Sequence, residues 1–282
     1  MRHQIGKFLD TFAPQLSTKA RKYLDQKRLK GKAVQTPQGF LFSGNTSMQQ
    51  GTFEPVETEI IQHLLENTKL FINIGANIGY YCCLALSKEV YTLAFEPVQV
   101  NLQLLQANLS NNHFSKSVEL FPVALGDSTG IVKIYGDGTG ASIIPGWAGA
   151  SHNYFNYVPL NTLDNLLKSR IVADTLILMD IEGGEYSALL GAREILDYKN
   201  SAIWFVEICI SEHQPEGVSI NPNLRKTFDL FWNAGYQAYT AQSKPLLVTS
   251  EAVDMVVHNK EDIFETHNFV FLPNGRTPSW MN

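Results

Sequence analysis

Asp180, Glu182 and Glu185 fall within six positions of one another, Glu207 closes a separate apolar run, and His213 lies six residues beyond it. Carboxylates and histidine take protons from hydroxyls and orient them, so this set suits a reaction in which an oxygen nucleophile is aligned and deprotonated. Asp180 or His213 is expected to act as general base, with Glu182 and Glu207 orienting the hydroxyl. Asp180, Glu182 and Glu207 also form a hard, oxygen-rich set of the kind that would hold Mg²⁺ rather than zinc. Glu182 and Glu185 have a plainer role open to them, because acidic residues at a helix start stabilise its dipole by roughly 0.3–1 kcal/mol each. His213, within Ser211-Glu212-His213-Gln214-Pro215, also fits a plain surface turn.

A second group points to a nucleoside ligand. Asn73-Ile74-Gly75-Ala76-Asn77-Ile78-Gly79 is a glycine turn in which Gly75 lets the backbone approach a ligand and Gly79 lets a helix pack tightly on its strand. Glu96-Pro97 ends the next apolar run, and Glu96 follows Gly75 by 21 residues, where an acidic side chain reaches the ribose hydroxyls of a bound nucleoside. A dinucleotide fingerprint would read G-x-G-x-x-G, but Asn73 stands at the first glycine's place. A polar side chain there suits the ammonium and carboxylate of an amino-acid moiety better than a diphosphate, which favours S-adenosylmethionine over NAD. An NAD-dependent oxidoreductase remains the competing enzyme class, since Gly75 and Glu96 also fit its ribose site.

The elements that must carry these residues alternate. Strands are expected over 70–74, 91–95, 118–124, 175–180 and 203–208, with helices over 54–66, 78–87, 98–111, 184–196 and 224–232, and weaker strands near 236–240 and 269–272. Short apolar runs alternating with amphipathic helices read as a doubly wound, mostly parallel α/β sheet with right-handed crossovers, whose ligands sit at the carboxyl ends of its strands. Residues 126–160 break the alternation. Glycine-rich turns around Ile131–Tyr135 suggest a hairpin, and 138–151 reads as a mobile loop that, with Trp147, Tyr154 and Tyr157, would form a lid over an acceptor. Cys82 and Cys83 sit in the first helix after the glycine turn as core residues.

Four ordered blocks resemble the FkbM family of S-adenosylmethionine-dependent methyltransferases over roughly residues 50–240. They are Gly51-Thr52-Phe53-Glu54-Pro55; Ile72 through Tyr81; Ala94-Phe95-Glu96-Pro97 with Asn101 and Asn108 behind it; and Met179-Asp180-Ile181-Glu182-Gly183-Gly184-Glu185 followed by Leu190-Gly191-Ala192. The resemblance implies a Rossmann-like class I methyltransferase fold and O-methylation of hydroxyls on sugars, glycans or other small-molecule natural products. It implies that Asn73, Gly75, Ala76, Asn77 and Gly79 surround the methionine part, that Glu96 holds the ribose, that Ala124 lies near adenine, and that Pro97, Asn101 and Asp180 also bind the cofactor. Two positions depart from the family pattern: Asn73 replaces an aspartate and Met179 a basic residue. These departures keep open a second reading, a catalytically silent methyltransferase-like binding module.

Composition sets the outer bounds. The chain has 282 residues, 44% hydrophobic and 17% charged, enough for one large domain with an extension. Three cysteines give neither a disulfide framework nor a thiolate zinc set, which suits a reducing cytoplasm. No run reaches the roughly 20 apolar residues of a membrane span, and no G-x-S-x-G, H-E-x-x-H or P-loop motif occurs. The net charge of −5 is uneven, because residues 1–32 hold nine Lys or Arg against Asp10 and Asp25 whereas the rest holds 13 basic and 25 acidic residues. Residues 1–49 are therefore expected to be a basic, helical extension ending in a short strand, with 50–282 as the catalytic domain. The acidic body disfavours nucleic acid as partner, and the basic segment 1–35 offers either a solvated face or a peripheral contact with anionic membrane or acceptor.

Overall fold

In the computed structural model of the chain, residues 31–167, 170, 174–197 and 202–280 are described. The basic segment 1–30, where helices were expected, lies outside them. An eight-stranded sheet organises the molecule. Four of its strands are short apolar runs: β3 (Leu70–Ile74), β4 (Tyr91–Phe95), β9 (Thr175–Met179) and β10 (Ile203–Glu207). With β5 (Val118–Phe121) they lie parallel in the spatial order β5-β4-β3-β9-β10. Every residue of β3 and β9 is buried, as a strand covered on both faces requires. Beyond β10 come β13 (Asn268–Pro273), antiparallel to both its neighbours, then β11 (Tyr236–Thr240) and the two-residue β12 (Leu247–Val248).

Strand order reverses between β3 and β9, so the loops after these two strands diverge and leave a crevice at their carboxyl ends. The helices flanking this crevice are α2 (Pro55–Leu65), α3 (Tyr80–Ser87) and α4 (Gln99–Asn111) on one side of the chain's course, and α6 (Glu185–Leu190) with α8 (Leu224–Asn233) later. One hydrophobic core joins Ile72, Ile74, Met179, Leu189 and Phe228; another joins Phe40, Phe42, Tyr80, Cys82, Cys83 and Leu105. The strands β1 (Val34–Gln35) and β2 (Leu41–Phe42) and the helix α1 (Thr46–Gln50) precede α2. Phe40, Phe42 and Met48 are buried in the second core, so the described part of the extension packs into the body rather than standing apart from it.

Several elements differ from expectation. The run 118–124 divides after Phe121, because Pro122 has no N–H for a sheet ladder. Its remainder, β6 (Ala124–Leu125), pairs instead with β8 (Phe155–Asn161) in a separate three-stranded sheet completed by β7 (Gly130–Tyr135). β7 therefore pairs along its length with a strand twenty residues downstream, and the local turn expected after it closes only as a single antiparallel bridge between Tyr135 and Ser142. The expected helix over 184–196 is two helices, α6 and α7 (Arg193–Asp197). A Cβ on Gly191 would lie 2.0 Å from the Gly126 carbonyl oxygen, and the Asp164 carboxylate accepts from the Glu194 and Ile195 amides to start the second helix separately. A helix α9 (Ser250–Asn259), capped by Thr249, was not anticipated. Among the described residues, no helix is long and apolar enough to cross a membrane.

Candidate active site

Two cavities open at the crevice and share Gly75, Asn77 and Asp180 as a common wall. The space at the first, open solvent included, is about 620 Å³ and that at the second about 520 Å³. Gly75, Asn77, Glu96, Pro97, Asn101, Ala124, Asp180 and Glu182 line the first; Asn73, Gly75, Ala76, Asn77, Asp180 and Glu207 line the second. Gly79 lines neither. Its φ of +89° starts α3, and a Cβ there would lie 2.3 Å from Leu105 Cδ1, so this glycine serves the contact of α3 with α4 rather than a contact with the strand.

The turn after β3 is held open by backbone contacts. Gly75 has φ +85°, and a Cβ on it would sit 1.8 Å from the Asp180 carbonyl oxygen, so only glycine lets the β3 and β9 loops come this close. Glu96, 3% exposed, fixes the same turn from the end of β4: Oε2 accepts from the Asn77 amide at 2.7 Å, and Oε1 accepts from the Val98 amide at 2.7 Å and Asn101 Nδ2 at 3.4 Å. Burial pushes the Glu96 carboxyl up to about 7 against these bonds. Asn73 turns its amide nitrogen away from the crevice, donating to Cys82 Sγ at 3.4 Å.

The carboxylates assemble at the ends of β9 and β10. The Asp180 carboxyl neighbours that of Glu207 on the wall of the second cavity. Burial, then the neighbouring charges of Glu182 and Glu54 among others, pushes Asp180 well above the usual carboxylate range and Glu207 up to about 8. The Cys209 thiol donates to Glu207 Oε1 at 3.5 Å, and His267 Nε2 lies 3.8 Å from the same oxygen. Glu185, 3% exposed, points back under its own turn: Oε1 accepts from the Gly183 amide at 3.1 Å and the Ile181 amide at 3.4 Å. It therefore braces the 180–185 loop, the plainer of the roles open to it.

Glu182 belongs to a clasp rather than to the Asp180–Glu207 pair. Its Oε2 accepts from Trp147 Nε1 at 2.7 Å and lies 3.6 Å from His213 Nδ1, and its carbonyl oxygen accepts from Ser142 Oγ at 2.5 Å. Trp147 is 2% exposed and packs on Gly183, where a Cβ would meet its ring at 2.6 Å. The loop 138–151 is thus pinned across the crevice, and Trp147 packs the loop down instead of waiting for an acceptor. His213 sits at the rim, its carbonyl oxygen accepting from the Ala148 amide at 2.7 Å, and it lines neither cavity. Tyr157 is 67% exposed on β8, away from the cavity walls. Among the described residues, no three His, Cys, Asp or Glu side chains converge as a metal-holding group, so the geometry gives Asp180, Glu182 and Glu207 no shared cation position.

A family model described as the methyltransferase FkbM domain matches residues 73–238, more than half of the chain. The chain belongs to the FkbM methyltransferase family. Its fold is the α/β, Rossmann-like fold of class I methyltransferases. Solved structures similar to it include an FkbM methyltransferase from Methylobacillus flagellatus KT, 17% identical over 73% of this chain and 43% of that one, TM-score 0.42. An O-methyltransferase family protein from Burkholderia thailandensis is 10% identical over 80% and 57%, TM-score 0.36. A precorrin-6y C5,15-methyltransferase from Geobacter metallireducens GS-15 is 11% identical over 82% and 94%, TM-score 0.38. The chain spans less than two thirds of the length of the first two, and no curated relative matches it significantly.

FkbM membership implies S-adenosylmethionine as cofactor, and the crevice fits it on its own terms. Asn77 Oδ1 is buried with no hydrogen-bond partner, between one cavity bordered by the Glu96 carboxylate and another bordered by the turn after β3. An elongated ligand with a diol at one end and an amino acid at the other would occupy both. Met179, 0% exposed in the core beneath the sheet, lines neither cavity, so its departure from the family pattern leaves the walls unchanged. Residues that motif reasoning did not single out as functional are Glu54, Tyr81 and His267. Glu54 lay in plain view within the first block, but nothing in its spacing tells that the fold brings it to the second cavity.

Proposed function

We propose that this FkbM-family chain methylates a hydroxyl oxygen of a sugar, glycan or other small-molecule acceptor. The neighbouring carboxyls of Asp180, on the wall common to both cavities, and Glu207, on the second, carry the reading. An oxygen nucleophile becomes reactive only as its proton leaves, and carboxyls whose affinity for protons is raised above the usual range accept it readily once ionised. S-adenosylmethionine bound along the crevice supplies an electrophilic methyl group on a sulfonium centre. Gly75, Asn77, Glu96, Pro97, Asn101 and Ala124 hold its nucleoside side. Asp180 takes the hydroxyl proton, and Glu207 beside it orients the hydroxyl. Glu182 holds the Trp147 loop across the opening and so keeps water from the reacting atoms.

The experiment is turnover with labelled S-adenosylmethionine over a panel of hydroxylated, aminated and carbon-acid acceptors, with the methylated atom located by NMR. Transfer to oxygen that vanishes in Asp180→Asn while cofactor affinity persists supports the reading. Transfer to nitrogen or carbon, or full activity in that variant, overturns it.

A further inference from the structure

Glu54 has a backbone that nothing local explains. It sits at φ 41°, ψ 65° immediately before Pro55, although residues preceding proline favour extended conformations. Left-handed conformations at non-glycine residues cost of order 1–3 kcal/mol and persist where the surroundings impose them, often at ligand sites. The side chain makes no capping hydrogen bond to α2, so helix initiation is not what the conformation serves. Instead the carboxylate turns to the second cavity, where Oε2 accepts from Tyr81 Oη at 2.7 Å, with Thr58 Oγ1 a further 3.4 Å from that hydroxyl.

The second cavity is the one bordered by Asn73, Gly75, Ala76 and Asn77, and no Lys or Arg lines either cavity. Its carboxyl groups are those of Glu54, Asp180 and Glu207, and no cationic side chain lines it to balance them. A bound cation relieves such an arrangement. Of the nearby carboxyls, Asp180 and Glu207 neighbour each other, Glu207 also meets the Cys209 thiol and His267, Glu182 is held by Trp147 and faces His213, and Glu96 is committed to two backbone amides and Asn101. Among the described residues, Glu54 has the single neutral hydroxyl of Tyr81 as its side-chain hydrogen-bond partner, and Asn73 offers no charge. We propose that Glu54 receives the ammonium group of the cofactor's methionine end, with Tyr81 as the positioning residue that aims it. The assignment rests on the S-adenosylmethionine reading above.

Isothermal titration of the full chain separates the two. The probes are S-adenosylhomocysteine, which carries the amino-acid end, and 5′-methylthioadenosine, which lacks it. A hydrogen bond to a charged group is worth about 1.5–3 kcal/mol, so Glu54→Gln should weaken S-adenosylhomocysteine at least about tenfold. Binding of 5′-methylthioadenosine should stay within about twofold, and Tyr81→Phe should shift the same ligand in the same direction by less. Equal losses for both ligands, or no loss for either in both variants, overturn the role of Glu54. A wild-type chain that binds neither ligand overturns the cofactor reading itself, and the Tyr81→Phe titration stands if Glu54→Gln does not fold.

Discussion

Two neighbouring buried acids cannot both ionise cheaply, and at Asp180 and Glu207 that fact links packing to chemistry. Because burial raises both, the base form of the pair appears only as pH climbs, so turnover should increase from pH 6 toward and beyond about 8, the value for Glu207. A rate profile flat over that interval would remove the pair from the proton transfer. Asp180→Asn should lower kcat by about 10²–10⁴-fold, the usual contribution of general-base catalysis, with S-adenosylhomocysteine affinity nearly unchanged. Glu185 gives a separate expectation for stability. Burial holds its folded-state carboxyl up at about 8 against 4.5 for the unperturbed group, so the folded chain binds the extra proton and this contribution fades as pH rises between those values. The thermal midpoint should therefore fall from pH 5 to pH 8, and Glu185→Gln, which keeps the acceptor for the Ile181 and Gly183 amides, should flatten that fall.

At the level of elements, the strands that bear the site were legible because burial on both faces writes itself as unbroken apolar runs: 70–74 and 91–95 match β3 and β4 residue for residue. The small sheet of β6, β7 and β8 was not, because its pairing skips the intervening loop and depends on Pro122 diverting the chain, a contact no local period encodes. The same holds for the break between α6 and α7, which comes from Gly126 and Asp164 on other segments. The loop 138–151 reads as mobile from its glycines, yet one tryptophan fixes it. Trp147→Phe keeps much of the packing on Gly183 but removes the Nε1 bond to Glu182, leaving that carboxylate short of a donor. Loop amides should then exchange faster with solvent by the equivalent of about 1–3 kcal/mol of local stability, while β3 and β9 keep their protection. Unchanged exchange in the loop would mean that the bond does not hold it.

For the whole molecule, the blocks that reveal the family are also joints between distant parts, which is why their order was readable and their purpose was not. Asn108 sits behind Glu96 in the third block, where sequence gives it no stated role. In the fold it is fully buried and spans a gap, its Oδ1 accepting from the Ser43 amide at 2.8 Å and its Nδ2 donating to the carbonyls of Ser43 at 3.1 Å and Ile78 at 2.8 Å. One side chain on α4 thus ties the segment carrying Phe40 and Phe42 to the glycine turn that walls both cavities. Two consequences follow from the same bonds. Asn108→Ala strands buried backbone groups on two segments, each costing about 1–3 kcal/mol, so the denaturant midpoint should fall without a change in the slope of the transition. Because Ile78 adjoins Asn77, the turn should also loosen, and S-adenosylhomocysteine should bind more weakly even though Asn108 lines neither cavity. A variant that loses stability while binding as tightly as the wild type would show that the turn is held by Glu96 alone, and that the N-terminal segment supports the fold without shaping the site.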